Sequence, residues 1–135
     1  MERGLSGRVL VVDDDVEVQR VVKPAAEGAG LDVVQAFDGA AGLLVATTER
    51  FDLILLDINM PRMDGRDVLK RLKENPTTAD VPVLVYSGRN GQSDRLVGLE
   101  LGAEDYVDKP IDAGSLVRKI GRLIERKTRE RAARE

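Results

Sequence analysis

The chain is expected to form an α/β fold: one doubly wound domain built on a five-stranded parallel sheet. Three observations predict it. Short apolar runs alternate with amphipathic stretches along 135 residues, the rhythm of consecutive strand–helix units joined by right-handed crossovers. The run Leu53-Ile54-Leu55-Leu56 is apolar at every position and bounded by turn signals, so it reads as a strand buried on both faces. Several runs then stop at polar residues, namely Asp13, Asp14, Asp57, Ser87 and Lys109, which parallel strands collect on the one sheet edge where ligands bind.

Each element has a local reason. Arg8 to Val12, RVLVV, is the first strand and halts at Asp13-Asp14-Asp15. A helix follows from about Val16 to Ala29, with Val18, Val21, Val22 and Ala25 at inward spacing, Asp15 as N-cap and Glu17 favoured in the first turn. Pro24 conflicts with that helix, because it removes an amide donor and crowds the carbonyl of Arg20. A kink is therefore expected between Arg20 and Pro24, with Gly28 and Gly30 closing the helix. Leu31 to Phe37 is the second strand, and Asp38-Gly39 turns it into a helix from about Ala40 to Glu49. After the central strand comes a loop holding Asn59, Pro61, Asp64 and Gly65, then a helix from about Arg66 to Lys73 with Val68, Leu69 and Leu72 inward. Asn75 to Thr78 is a loop and Val81 to Tyr86 the fourth strand, ending at Ser87-Gly88. Ser93 is the expected cap of a fourth helix reaching about Leu101, on which Leu96, Val97 and Leu101 share a side while Leu99 projects away. Glu104 to Val107 is a short fifth strand before Asp108-Lys109-Pro110. The fifth helix, from Asp112, buries Leu116, Val117, Ile120, Leu123 and Ile124. Beyond Glu125 the apolar period stops, and residues 126–135 read as a charged helical extension or the start of a linker, with Glu125–Arg129 and Glu130–Arg134 at favourable spacing.

Composition narrows the chemistry. Hydrophobic residues make up 42% and charged residues 33%, which describes a globular domain, and aromatics at 3% leave the core to Val, Leu, Ile and Ala. Few aromatics and a net charge of −3 argue against direct nucleic-acid binding. No apolar run approaches the ~20 residues that span a bilayer, and no secretory pattern opens the chain, so the cytoplasm is the expected location. Cysteine and histidine are both absent. Thiol chemistry, a histidine base, a histidine zinc site and a histidine phosphoryl carrier are thereby excluded.

What remains is carboxylates, hydroxyls and lysine. Carboxylates crowded at one edge resist joint ionisation, and a hard divalent cation resolves the conflict. Asp57 on the central strand is the candidate nucleophile, since a carboxylate can take a phosphoryl group as an acyl phosphate. The Lys109 ammonium would neutralise charge on the transferred group, Ser87 offers a hydroxyl, and Asn59 is close enough to lend a backbone carbonyl to Mg²⁺ or Mn²⁺.

The motifs VVDD (Val11 to Asp14), LLDINMPRMDG (Leu55 to Gly65), VPVLVYSG (Val81 to Gly88) and GAEDYVDKP (Gly102 to Pro110) stand in an order that resembles the receiver domains of bacterial two-component response regulators. The likeness covers Arg8 to about Arg126, so that 1–125 would be the receiver domain. It implies a flavodoxin-like sheet in strand order 2-1-3-4-5 and a cis peptide between Lys109 and Pro110. It also implies that Asp57 is the phospho-acceptor, with Asp14 on the metal directly and Asp13 largely through water. Ser87 takes the place of the switch hydroxyl, Tyr106 that of the switch aromatic, and Lys109 that of the pocket lysine. The donor would be a histidine kinase or histidine phosphotransfer protein. Phosphorylation would move Ser87, let Tyr106 turn inward and change the face made by helix 4, strand 5 and helix 5. That face would then meet a downstream protein partner, a fused output domain or a second copy in a phosphorylation-dependent dimer, with Leu99 as a partner contact. Such a protein is no enzyme in the turnover sense, as it catalyses only its own phosphorylation and dephosphorylation.

Ser87 stands where threonine is more frequent, Pro24 is unusual in helix 1, and Arg89 falls near the expected pocket mouth. Two other readings use the same residues. A phosphatase with an aspartate nucleophile would want a second aspartate two positions on, where this chain has Asn59. A phosphorylation-independent pseudo-receiver, serving only as an interaction module, would keep the fold without the chemistry.

Overall fold

The computed structural model describes residues 4–60, 63–88 and 98–134. Five strands, β1 (Arg8–Val12), β2 (Asp32–Ala36), β3 (Leu53–Leu56), β4 (Val83–Ser87) and β5 (Asp105–Asp108), form one sheet in the order β2-β1-β3-β4-β5. Every neighbouring pair is parallel. The helices are α1 (Val16–Gly28), α2 (Gly39–Thr48), α3 (Gly65–Glu74), helical residues 98–100, labelled α4, and α5 (Ala113–Arg134). The α/β class, the strand order and the cis peptide at Lys109–Pro110 are as the sequence and its resemblance imply.

Both sheet faces are covered, which is why the strands are apolar without alternation. Successive residues of a strand point to opposite faces. Val9, Val11, Leu53, Leu55, Leu84 and Tyr86 accordingly share one core with the inward residues of α1 and α5. Leu10, Val12, Ile54, Leu56, Val83 and Val85 share the other with Ala46, Val68, Leu69 and Leu72 of α2 and α3. The five apolar residues expected inward on α5 are all buried.

Helix α1 carries Pro24 within its span, on the exposed side, and departs from expectation in the residues that it buries. Its buried residues are Gln19, Val22 and Ala26, whereas Val21 is 54% exposed. The physical reason lies in the strand ends beneath it. The Gln19 side-chain amide donates to the carbonyls of Val11, Asp13 and Ala36 at 3.0–3.1 Å, so a polar residue takes the inward position. Asp15 caps the helix as expected, accepting from the amides of Glu17 and Val18. After it, Gly30 adopts a left-handed backbone (φ +105°), and a side chain there would strike the Leu5 carbonyl.

The charged tail is a direct continuation of α5. The pairs Glu125–Arg129 and Glu130–Arg134 do not form. Arg126 instead reaches Glu104 at 3.1 Å, while Lys127 and Arg131 reach Asp80 at 3.0 and 3.4 Å. An exposed pair along a helix gains only about 0.3–0.5 kcal/mol against the entropy of holding two long side chains, so its absence costs little. Ser93, Leu96, Val97, Arg89 and Pro61 lie outside the described residues.

Candidate functional site

Strand register builds the site. Val12 pairs with Leu56 across β1 and β3, so the next residue on each strand, Asp13 and Asp57, meet at the sheet edge. The Asp57 amide continues the ladder, donating to the Val12 carbonyl at 2.9 Å. On the next pair, β4 and β5, Ser87 pairs with Asp108, which carries Lys109 to the same edge. The Lys109 amide donates back to the Ser87 carbonyl at 3.0 Å.

The side chains converge accordingly. Lys109 Nζ lies 2.9 Å from Asp13 Oδ2 and 3.3 Å from Asp57 Oδ2, bridging two carboxylates that are 1% and 5% exposed. Asp14 is exposed beside them, and one carboxylate oxygen from each of Asp13, Asp14 and Asp57 can lie within 4.8 Å of the others. Short local bonds hold the carboxylates in place. Asp13 Oδ1 accepts from the Asp15 amide at 2.9 Å, and Asp57 Oδ1 accepts from the Asn59 amide at 3.0 Å. Gly65 is required behind this loop, since a Cβ there would sit 2.4 Å from Ile58 Cα and 2.6 Å from the Asp57 carbonyl oxygen.

Burial makes these charges expensive. It lifts the Asp13 pKa from 3.8 to about 6, against the lowering effect of the Lys109 bond. Burial also works against the Lys109 ammonium, but the bonds and charges of Asp13, then Asp57, outweigh it and hold that pKa above the usual lysine value. An acidic cluster with one buried, reluctantly ionised carboxylate is a donor set suited to a hard divalent cation.

Ser87 is fully buried, and its Oγ accepts from the Asn59 side-chain amide at 2.5 Å. Tyr106, 8% exposed, already points inward, its hydroxyl donating to the Ser87 carbonyl at 3.3 Å. Leu99 is 41% exposed. The structure thus brings together Asp13, Asp14, Asp57 and Lys109, links Ser87 to them through Asn59, and stacks Tyr106 behind Ser87. Sequence reasoning missed Gln19, the Asn59 side-chain bond and Tyr86, whose ring lies under Lys109. Gln19 had a signal: it shares a helical face with Val22 and Ala26.

A family model, the response regulator receiver domain, matches residues 9–121. The chain belongs to that family. Among curated relatives, this receiver domain is 44% identical over 128 residues to the transcriptional regulatory protein PrrA of Mycobacterium tuberculosis, covering 94% of this chain and 54% of PrrA. It is 38% identical over 122 residues to the DNA-binding dual master transcriptional regulator RpaA of Synechocystis, covering 90% of this chain and 51% of RpaA. The chain therefore spans about half the length of these relatives. Among solved structures, the receiver domain of a Francisella response regulator superposes with a TM-score of 0.81 at 32% identity, over 89% of this chain and 98% of that one. A CheY-like receiver domain protein from Methanospirillum hungatei gives 0.85 at 28%, over 91% and 97%. Receiver domains are regulatory units of two-component signalling. Among the described residues, no helix is long and apolar enough to cross a membrane.

Proposed function

We propose that this receiver domain takes a phosphoryl group on Asp57 from a histidine kinase or histidine phosphotransfer protein and uses it to switch a partner-binding face. One observation carries the reading: the Lys109 ammonium bridges Asp13 and Asp57 at adjoining ends of β1 and β3. In the transfer, an Asp57 oxygen forms its bond to phosphorus as the phosphorus–nitrogen bond of the donor's phosphohistidine breaks. The imidazole leaves with the electron pair. Lys109 then lies beside the new phosphoryl oxygens, where a fixed cation stabilises developing charge. Asp13, Asp14 and Asp57, with the Asn59 backbone carbonyl, would hold Mg²⁺ or Mn²⁺. When bound, the ion would offset carboxylate repulsion and the negative charge of the phosphoryl group.

The switch rests on the stack of Asn59, Ser87 and Tyr106. A phosphoryl group on Asp57 adds charge and three acceptor oxygens, drawing the Ser87 hydroxyl and biasing Tyr106 toward the inward position. The face of α4, β5 and α5, with Leu99 exposed on it, would present the result to a downstream protein, a fused output domain or a second copy. The cytoplasm, where a kinase would meet it, suits this role.

The test is intact-mass analysis after incubation with Mg²⁺ and acetyl phosphate. An adduct of ~80 Da is expected on the wild type and not on Asp57→Ala. No adduct, or one that survives the substitution, would overturn the reading and leave a phosphorylation-independent interaction module.

A further inference from the structure

The mechanism so far uses two sides of the Lys109 ammonium, which donates to Asp13 and Asp57. Its third side is occupied too. Nζ lies 4.9 Å from the centroid of the Tyr86 ring, within the range at which an ammonium is attracted to an aromatic face. The Lys109 side chain is only 19% exposed, so little water screens that attraction. Tyr86 stands next to Ser87 on β4, and strand alternation turns its ring onto the α1 and α5 side. There it forms one wall of a shallow, mostly apolar groove of about 220 Å³ with Val18, Val22, Ile111 and Leu116. The ring face, with the ammonium over it, is the part of Tyr86 engaged with Lys109.

We infer that Tyr86 is a positioning residue, its ring face holding the Lys109 ammonium in line with Asp57. A lysine side chain is a flexible four-carbon stem carrying a compact charge, so two carboxylate contacts leave it free to tilt. One of those contacts changes when Asp57 becomes an acyl phosphate. The ring does not change, and it keeps the ammonium at the pocket through the transfer. The rate consequence rests on the phospho-acceptor reading above; the placement of the ammonium does not.

Two measurements test it. Tyr86 is replaced by Phe, by phenylalanines of increasing ring fluorination, and by Leu. Initial phosphorylation rates are then followed by intact mass with Mg²⁺ and acetyl phosphate. Fluorine drains the ring face while nearly preserving shape. Tyr86→Phe should stay within about twofold of wild type, and the rate should fall stepwise with fluorine to roughly three- to tenfold below it. The same series on a Lys109→Ala background should be flat. Separately, the Lys109 ε-methylene resonances in the unphosphorylated protein should be shifted upfield by the ring in wild type and Tyr86→Phe, and return to ordinary lysine positions in Tyr86→Leu. Rates independent of fluorine, rates that follow the unfolding midpoint instead, or ε-methylene shifts untouched by Tyr86→Leu would each overturn the inference. A wild type that takes no phosphoryl group refutes the phospho-acceptor reading, and the resonance measurement still decides where the ammonium is held.

Discussion

At the scale of single residues, Asp13 is a carboxylate that the fold favours in its neutral form. Its pKa in the folded chain, about 6, exceeds its ordinary 3.8 because burial disfavours the charge. The folded state thus binds this proton more tightly than the unfolded state. Its contribution to stability is greatest below about pH 4 and is lost as pH rises through about 6. Without divalent ions, Asp13→Asn should remove that loss and raise stability at neutral pH, on the order of 2 kcal/mol. Urea unfolding of both proteins across this range measures it; carboxylates with lowered pKa values, such as Asp105, contribute with the opposite sign and are common to both. On the proposed function, the same proton would compete with Mg²⁺. Affinity should fall about tenfold between about pH 7 and about pH 5, by titration calorimetry, and a flat profile would argue against Asp13 as a ligand.

At the scale of elements, α1 does more than cover the sheet. Gln19 ties the carbonyls of Val11, Asp13 and Ala36, so the end of β1, the end of β2 and the first turns of α1 are held as one piece beneath the acidic pair. Gln19→Leu removes one donor from each of those buried carbonyls, that of Ala36 keeping the Asp13 amide at 3.1 Å. It should cost about 1–3 kcal/mol in urea unfolding, more than an exposed substitution on the same helix. The turn after β3 depends on Gly65 in a similar way. A Cβ added there would lie against the peptide of Asp57 and Ile58, so Gly65→Ala must displace the chain that carries the proposed phospho-acceptor. Destabilisation of about 1–3 kcal/mol is expected, accompanied by slower phosphoryl uptake. The end of α5 is held more weakly. Lys127 and Arg131 meet Asp80 at the surface, and Asp80→Asn should cost less than about 1 kcal/mol while quickening amide exchange in the last turns.

At the scale of the whole molecule, the proposed switch would be a matter of two states of one face. Tyr106 is inward and bonded to the Ser87 carbonyl, the position the family resemblance assigns to the phosphorylated form. The unphosphorylated domain is therefore expected to populate the inward state already, with phosphorylation adding to it. Adding beryllofluoride with Mg²⁺, as a phosphoryl mimic at Asp57, should sharpen and shift resonances of Tyr106, β5 and residues 98–103. Spectra left unmoved would sink the switch. Leu99→Ala should leave phosphoryl uptake intact and weaken whatever protein binds this face.

Much of this protein is determined by the order of its residues alone. Apolar runs that stop at Asp13, Asp57, Ser87 and before Lys109 are enough to specify parallel strands and the edge on which chemistry gathers, because period and polarity are local properties of the chain. Caps such as Asp15 are local too. What only the tertiary structure decided concerns partners distant in sequence. That Gln19 faces inward, that the Asn59 amide reaches Ser87, that Tyr86 lies under Lys109 and that Asp80 draws the end of α5 each depend on which strands become neighbours. A helical wheel places Gln19 beside Val22 but cannot supply the carbonyls that make its burial favourable. Those acceptors exist only once β1 and β2 are paired beneath α1.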